Sequence, residues 1–341
     1  MIRRYAVALG AMLALAPQVA SNALAQTADY SEDYLSSDYA GSDYSGDYAA
    51  ADYTLPSEGR VVLGHGRLTT NDLIGDGNDR WQTGSVISSR VVGRGGWIGA
   101  LPDRPFDILE YRLGGQVMAP DDMRNPSVGD RPWAGALSFG VHTHFMRGPV
   151  EVAMGGDLVV TGKQNGLSAF QTAVHDLIGV QPASKSVLDN QVSNGVHPTL
   201  VLEAGNTMAL GSGGVLRPFA EARAGAETLV RAGADLTFGS VGQGELMVRD
   251  PVTGQRYRAV SNPLAGFSYV MGGDLSYVND SVYLPASSGV DMKNTRSRLR
   301  AGLHWQGERN AAFYGLTWMS KEFEAQDSGQ LVGSMRVDIK F

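Results

Sequence analysis

GSMRVDIKF, residues 333–341, alternates strictly. Met335, Val337, Ile339 and Phe341 are apolar, and Arg336, Asp338 and Lys340 between them are charged. Successive side chains of a strand point to opposite faces, so this segment has one apolar and one polar face. It runs to the last residue and stops on an aromatic. Such an ending suits a strand that closes on the first strand of an outer-membrane barrel, where closure leaves no unpaired edge within the lipid. It predicts an all-β chain: a closed, antiparallel transmembrane β-barrel.

The other end agrees. In MIRRYAVALGAMLALAPQVASNALAQ, Arg3 and Arg4 form a basic stretch, Tyr5 to Ala16 is almost wholly apolar, and Ala23-Leu24-Ala25 precedes Gln26. This is the pattern of a secretory signal peptide over residues 1–25, too short in its apolar run for a membrane span of roughly 20 residues. Export and barrel closure together predict the outer membrane of a Gram-negative bacterium.

Composition is compatible. The 341 residues include 44 glycines and no cysteine, so no disulfide holds an exported chain together and closure of the sheet must do so. A mean hydropathy of -0.14 resembles a soluble protein, but barrels share that feature because lipid-facing and lumen-facing residues alternate. The net charge of -7 is local in origin: eight acids and no base lie between Gln26 and Gly59, whereas residues 60–341 hold 27 acids and 26 bases. No basic stripe exists to bind nucleic acid.

Residues 26–58 form a separate segment in which Asp-Tyr recurs six times, beginning at Asp29, Asp33, Asp38, Asp43, Asp47 and Asp52. With Ser, Ala and Gly as filler it has too few aliphatic residues for a core, and its composition predicts an acidic, disordered tail. A sharper reading is a repeated sticker for a cell-wall or protein partner. The barrel then occupies residues 59–341. Strand-like stretches fall near 60–69, 83–94, 106–118, 132–146, 149–161, 197–208, 215–226, 229–239, 265–277, 296–306, 311–321 and 331–341, about twelve in number, an even count as a closed antiparallel barrel requires. A soluble β-sandwich is the structural alternative. Trp97, Trp133, Trp305, Trp318, Tyr111, Tyr314 and Phe341 are candidates for interfacial girdles. Residues 162–196 are too long for a hairpin, and Phe170, Val174, Leu177 and Ile178 at helical spacing predict a short helical insertion near 167–180. This loop carries His175.

A second loop stands out. TTNDLIGDGNDRWQTGS, residues 69–85, holds six acids or amides and three glycines between two strands. That exceeds what a tight hairpin needs, although Asn-Asp-x-x-Gly is also ordinary turn chemistry. Taken with it, Asp79-Arg80-x-x-Thr83-Gly84, Pro120-Asp121-Asp122, Asp130-Arg131-Pro132-Trp133-Ala134-Gly135, Gln171-x-x-x-His175-x-x-x-Gly179 and Gln191-x-x-Asn194 follow in order. In these motifs, over roughly residues 60–200, the sequence resembles the LpxR family of outer-membrane lipid A deacylases. The resemblance implies a twelve-stranded barrel that removes acyl chains from the 3′ position of lipid A and requires Ca2+. It implies Asn71, Asp72, Thr83 and His175 as the site, with lipid A or lipopolysaccharide and outer-membrane lipids as partners.

The chemistry of these residues reads separately. Ester hydrolysis needs a base and donors where the oxyanion develops. His175 suits the base, Asp72 suits a hard, oxygen-liganded cation such as Ca2+, and the Thr83 hydroxyl and Asn71 amide suit the oxyanion. A lone loop histidine is otherwise an ordinary surface residue. Two departures from the family pattern are visible: Arg124 is the cation where some members carry lysine, and Gln181 stands near the position of a glutamate. Asp130 and Arg131 read as a lumen-facing ion pair. His142 and His144, two apart on a strand, face one way, as half a metal site or as interior packing. No G-x-S-x-G elbow supports a serine nucleophile. The competing functions are a phospholipid acyl hydrolase with the same machinery, and a non-catalytic barrel serving as pore or anchor.

Overall fold

The computed structural model describes residues 59–211, 213–262 and 264–339. The expected signal peptide, the Asp-Tyr repeat and Phe341 lie outside the described residues. In chain order the strands are β1 (Arg60–Asn71), β2 (Trp81–Arg94), β3 (Ile108–Ala119), β4 (Ala134–Arg147), β5 (Val150–Thr161), β6 (Gly195–Gly205), β7 (Met208–Leu210), β8 (Gly214–Ala224), β9 (Glu227–Phe238), β10 (Leu246–Arg249), β11 (Arg256–Val260), β12 (Gly266–Ser281), β13 (Thr295–Gln306), β14 (Asn310–Met319) and β15 (Gln330–Ile339). Helices α1 (Leu167–Ile178) and α2 (Lys185–Asp189) lie between β5 and β6.

Twelve strands, all but β7, β10 and β11, run round one closed antiparallel barrel among the described residues. Neighbours in sequence pair with each other. The circle shuts where β6 meets β8, with Leu200 opposite Ala224 and Gly205 opposite Phe219, and where β15 meets β1. The final strand does close on the first, as its alternation predicts. That seam is short: Thr69 faces Met335, Thr70 faces Ser334 and Asn71 faces Gly333, and the Thr70 and Ser334 hydroxyls share a buried hydrogen bond of 3.0 Å.

The pattern of burial is that of a membrane barrel. On β12, Phe267, Tyr269, Met271, Leu275 and Tyr277 are exposed on the outer wall, while Ser268, Asp274 and Ser276 are buried within. Polar groups fill the interior by pairing with each other. Arg249 binds Glu203 and Asp235, each at 2.8 Å, Arg217 binds Glu203 at 2.7 Å, and Arg298 binds Asp274 at 3.0 Å. Each buried charge so matched avoids the several kcal/mol that an unpaired one costs.

Strand periodicity leaves residues 240–264 unassigned, and the structure supplies what it missed. β10 and β11 form a hairpin folded into the lumen, where Val248, Tyr257, Ala259 and Val260 pack on Leu68, Ile87, Val91 and Phe313 of the wall. Two glycines of β1 make room for it. A Cβ at Gly64 or Gly66 would lie 2.5 Å from the Ala259 or Arg258 carbonyl oxygen, respectively. Local alternation cannot reveal this element, because its apolar residues bury against the inside of the wall.

Two girdle expectations need correction. Trp133 is fully buried and its Nε1 donates to Gln171 Oε1 at 2.6 Å, so it supports α1. Trp97 donates to the Gly244 carbonyl at 2.8 Å and holds the loop that leads into the interior hairpin. Trp305, Trp318, Tyr111 and Tyr314 are exposed on the wall as expected.

Candidate active site

The loops after β1, β3 and β5 share the end of the barrel opposite Gly59 and Ile339, and the sequence-predicted site residues converge there. Asn71 closes β1, pairs with Gly84 of β2 across the ladder, and its Oδ1 accepts from the Leu73 amide at 2.9 Å. A Cβ on Gly84 would stand 3.0 Å from Asn71 Nδ2, so the glycine leaves the amide its room. Asp72 then turns the chain. Its carbonyl accepts from Gly75 and Gly77 at 2.8 and 3.0 Å, its amide donates to the Thr83 carbonyl at 3.1 Å, and its Oδ2 accepts from the Arg80 amide at 2.9 Å. The loop is therefore both a turn and a device that brings Asp72 beside Thr83.

Thr83 reaches the site through irregular backbone. Trp81 pairs with Ala119 and Gly84 with Val117, so β2 carries one extra residue at Gln82-Thr83. A bulge of this kind re-aims a side chain next to a site. Trp81 takes a φ of 51°, a left-handed conformation that bulky residues rarely adopt and that costs of order 1–3 kcal/mol. Its ring is buried and packed under the Arg80 guanidinium at 4.1 Å.

His175 arrives from α1. Gly166 (φ 74°) and Gly179 (φ 68°) bound the helix in left-handed conformations. Gln171, Val174, His175 and Ile178 form its buried face. The DRPWAG stretch is its seat: Trp133 bonds Gln171, and a Cβ on Gly135 would meet the Trp133 ring at 2.8 Å and Leu167 at 3.0 Å. The chain then bends so that His175 Nδ1 lies 3.2 Å from the Gln181 carbonyl oxygen. Donating there fixes the tautomer and leaves Nε2 as the basic nitrogen. Nε2 lies 3.5 Å from Asp79 Oδ2.

Asp79 is the site residue that sequence reasoning missed. Its place in the Asp-Arg-x-x-Thr-Gly motif is visible, but nothing local points it at a histidine 96 positions away. Burial raises its carboxyl above the ordinary range, against the pull of His175. Asp72 is fully buried, and burial followed by the neighbouring Asp79 charge pushes its carboxyl up to about 9, against the Arg80 amide hydrogen bond. Asp72 Oδ1 is buried and has no hydrogen-bond partner among the described residues, and the Thr83 hydroxyl stands beside the Asp79 carboxyl. Buried oxygens without partners are costly, and this set of hard oxygen donors fits a cation such as Ca2+. Among the described residues no group of three His, Cys, Asp or Glu side chains surrounds a point in space, so such an ion needs carbonyl, hydroxyl or substrate oxygens beside Asp72.

The remaining candidates are structural. With its amide oxygen toward Arg124, Gln181 accepts from Nη2 at 2.8 Å and Nη1 at 3.1 Å, so the two departures from the family pattern pair with each other. Asp130 and Arg131 do not form an ion pair: Asp130 accepts from the Asp121 and Arg131 amides, and the Arg131 guanidinium reaches Glu322 at 2.7 Å. His142 and His144 bond Asp157 and Glu110, each at 2.8 Å, in the barrel interior. Asn194 accepts from the Gln164 amide and Gln191 donates to the Leu188 carbonyl, ordering the long loop.

A family profile described as outer membrane protein LpxR matches residues 68–341. The chain belongs to the LpxR family. Its fold matches LpxR from Salmonella typhimurium with a TM-score of 0.67 at 17% identity, over 82% of this chain and 100% of that one. The NanC porin also aligns, at 7% identity over 82% of this chain and 100% of that one, but its TM-score of 0.36 is too low to bear on the reading. No curated protein matches the sequence. This LpxR-family barrel is an outer-membrane protein, and the helix and loops carrying His175, Asp72 and Thr83 fall within the matched span.

Proposed function

We propose that this barrel is an acyl-ester hydrolase of the outer membrane that removes a 3′-linked acyl chain from lipid A, with His175 as general base. The observation that carries it is the fixed imidazole: Nδ1 lies 3.2 Å from the Gln181 carbonyl oxygen and Nε2 lies 3.5 Å from Asp79 Oδ2, with Asp79 in turn beside Asp72 and Thr83. His175 Nε2 takes a proton from water, and the oxygen of that water attacks the ester carbonyl carbon. The Asn71 amide and the Thr83 hydroxyl donate to the oxyanion. Asp79 stabilises the imidazolium while it exists. Collapse breaks the bond from the acyl carbon to the sugar oxygen, and the imidazolium returns its proton to that oxygen. Asp72 is the residue that would hold Ca2+, which supplies positive charge to polarise an ester carbonyl.

Family membership and the likeness of fold to LpxR support lipid A as the substrate. A phospholipid acyl ester would suit the same groups. The interior hairpin crosses the lumen and ties Arg249 to Glu203 and Asp235, which counts against an open pore. Mass spectrometry of lipid A from membranes containing the protein, with Ca2+ and with a chelator, tests the reading. Loss of one acyl chain only with Ca2+ is expected; an unchanged lipid A profile from a folded barrel overturns it.

A further inference from the structure

Helix α1 covers only part of its apolar surface with protein. Gln171, Val174, His175 and Ile178 are buried, whereas Ala169, Phe170, Ala173 and Leu177 are exposed, Leu177 to 71% and Phe170 to 43%. In helical projection Ala173, Leu177 and Phe170 form one arc that continues into Val174, Leu167 and Ile178. Asp176, Thr172 and Ser168 lie to its other side. A surface helix in water carries its polar residues opposite its buried face. Here the polar residues flank an outward arc that is apolar, the arrangement of a helix lying in a membrane interface.

The surroundings agree on what covers that arc. The insertion bearing α1 leaves from β5 and returns to β6, and the outward side chains of those strands, Leu158 and Val196 toward that rim and Leu200 at mid-strand, belong to the exposed apolar wall that an outer-membrane barrel turns to lipid. Lys163 just before the helix and Lys185 after it are exposed cations, both paired with Asp189. Long cationic side chains beside an apolar helical face belong at headgroup level.

We propose that α1 is an interfacial helix whose Phe170, Ala173 and Leu177 rest among the acyl chains of the outer leaflet, continuous with the lipid-facing wall of β5 and β6. On the hydrolase reading, this holds His175 at the depth where acyl esters meet the headgroups.

The absence of cysteine makes the test clean. Single variants Phe170→Cys, Ala173→Cys and Leu177→Cys are spin-labelled in the full barrel, reconstituted into phosphatidylcholine–phosphatidylglycerol vesicles. Collision with oxygen is compared with collision with a water-soluble nickel chelate. Leu200→Cys serves as the lipid-facing reference and Asp327→Cys, exposed in the loop between β14 and β15, as the aqueous one. Labels at 170, 173 and 177 that favour oxygen, as at 200, support the proposal. Labels that meet nickel as readily as at 327 overturn it. Labels shielded from both reagents mean that protein, such as a second copy of the chain, covers the arc, and this also overturns it. Ala173→Cys, the smallest change, keeps the test valid if either larger residue is needed for folding. The readout uses no activity, so it stands or falls apart from the hydrolase reading.

Discussion

His175 Nε2 and Asp79 Oδ2 lie 3.5 Å apart although 96 positions separate the residues in sequence. Asp79 follows the first strand and His175 sits on a helix after the fifth, so the two meet only once the barrel is closed. A carboxylate at that nitrogen favours the imidazolium that forms when the base takes its proton. Asp79→Asn removes that charge, and deacylation should slow. The maximal rate should drop about tenfold, equivalent to about 1.4 kcal/mol. An unchanged rate in a folded variant would remove Asp79 from the mechanism.

His175→Ala removes the proposed base outright. Deacylation of lipid A should fall by about 10²–10⁴-fold, the usual contribution of a positioned general base, while the barrel still folds and resists heat on gel electrophoresis. Undiminished release of fatty acid would refute the assignment.

Asp72 Oδ1 is buried and unpartnered, so a bound cation should stabilise the folded barrel whether or not substrate is present. Added Ca2+ should raise the unfolding midpoint, by about 2.7 kcal/mol at a hundredfold excess over its dissociation constant. Asp72→Asn should abolish that increment in a calcium titration followed by tryptophan fluorescence. Equal calcium responses in the two proteins would place the ion elsewhere.

Gly135 exists for the helix. Its missing side chain leaves room for the Trp133 ring and Leu167, so Gly135→Ala should displace α1 and with it His175. Activity should fall well beyond any loss of barrel stability, which for overpacking is about 1–3 kcal/mol. Comparing fatty-acid release with urea unfolding of the same variant checks the split.

Burial pushes the carboxyl of Glu322, in the loop between β14 and β15, upward, but Arg296 and Arg131 outweigh this and hold it below the ordinary value of 4.5. A carboxyl depressed by folding contributes stability above its unfolded value and loses it as pH falls through the folded one. The wild-type barrel should therefore lose stability below about pH 4.5, in part through this group, and Glu322→Gln should lack that component. At neutral pH the same variant should be less stable by about 3–5 kcal/mol, because Arg131 keeps a buried charge without its carboxylate. Urea unfolding at pH 3.5, 4.5 and 7 distinguishes the two proteins.

Some of the site was legible and some was not. Asn71, Asp72, Thr83 and His175 are recognisable by type, order and spacing, and the fold brings them to one end of the barrel. Asp79 stood in a recognised motif without a visible partner. The bulge at Gln82-Thr83 and the left-handed Trp81 were hidden, because backbone irregularity leaves no periodic trace. Trp133 was misread as a girdle residue because an aromatic beside a strand looks the same whether it meets lipid or a helix.

The sequence by itself determined the barrel class, the twelve strands and the helix near His175. Period two and period 3.6 are written in neighbouring residues and need no distant partner to be read. Only the tertiary structure decided that β10 and β11 fold into the lumen, that Arg131 chooses Glu322, 191 positions away, over its neighbour Asp130, and that Asp79 faces His175. Each depends on which surfaces meet when the sheet closes, and closure is a property of the whole chain.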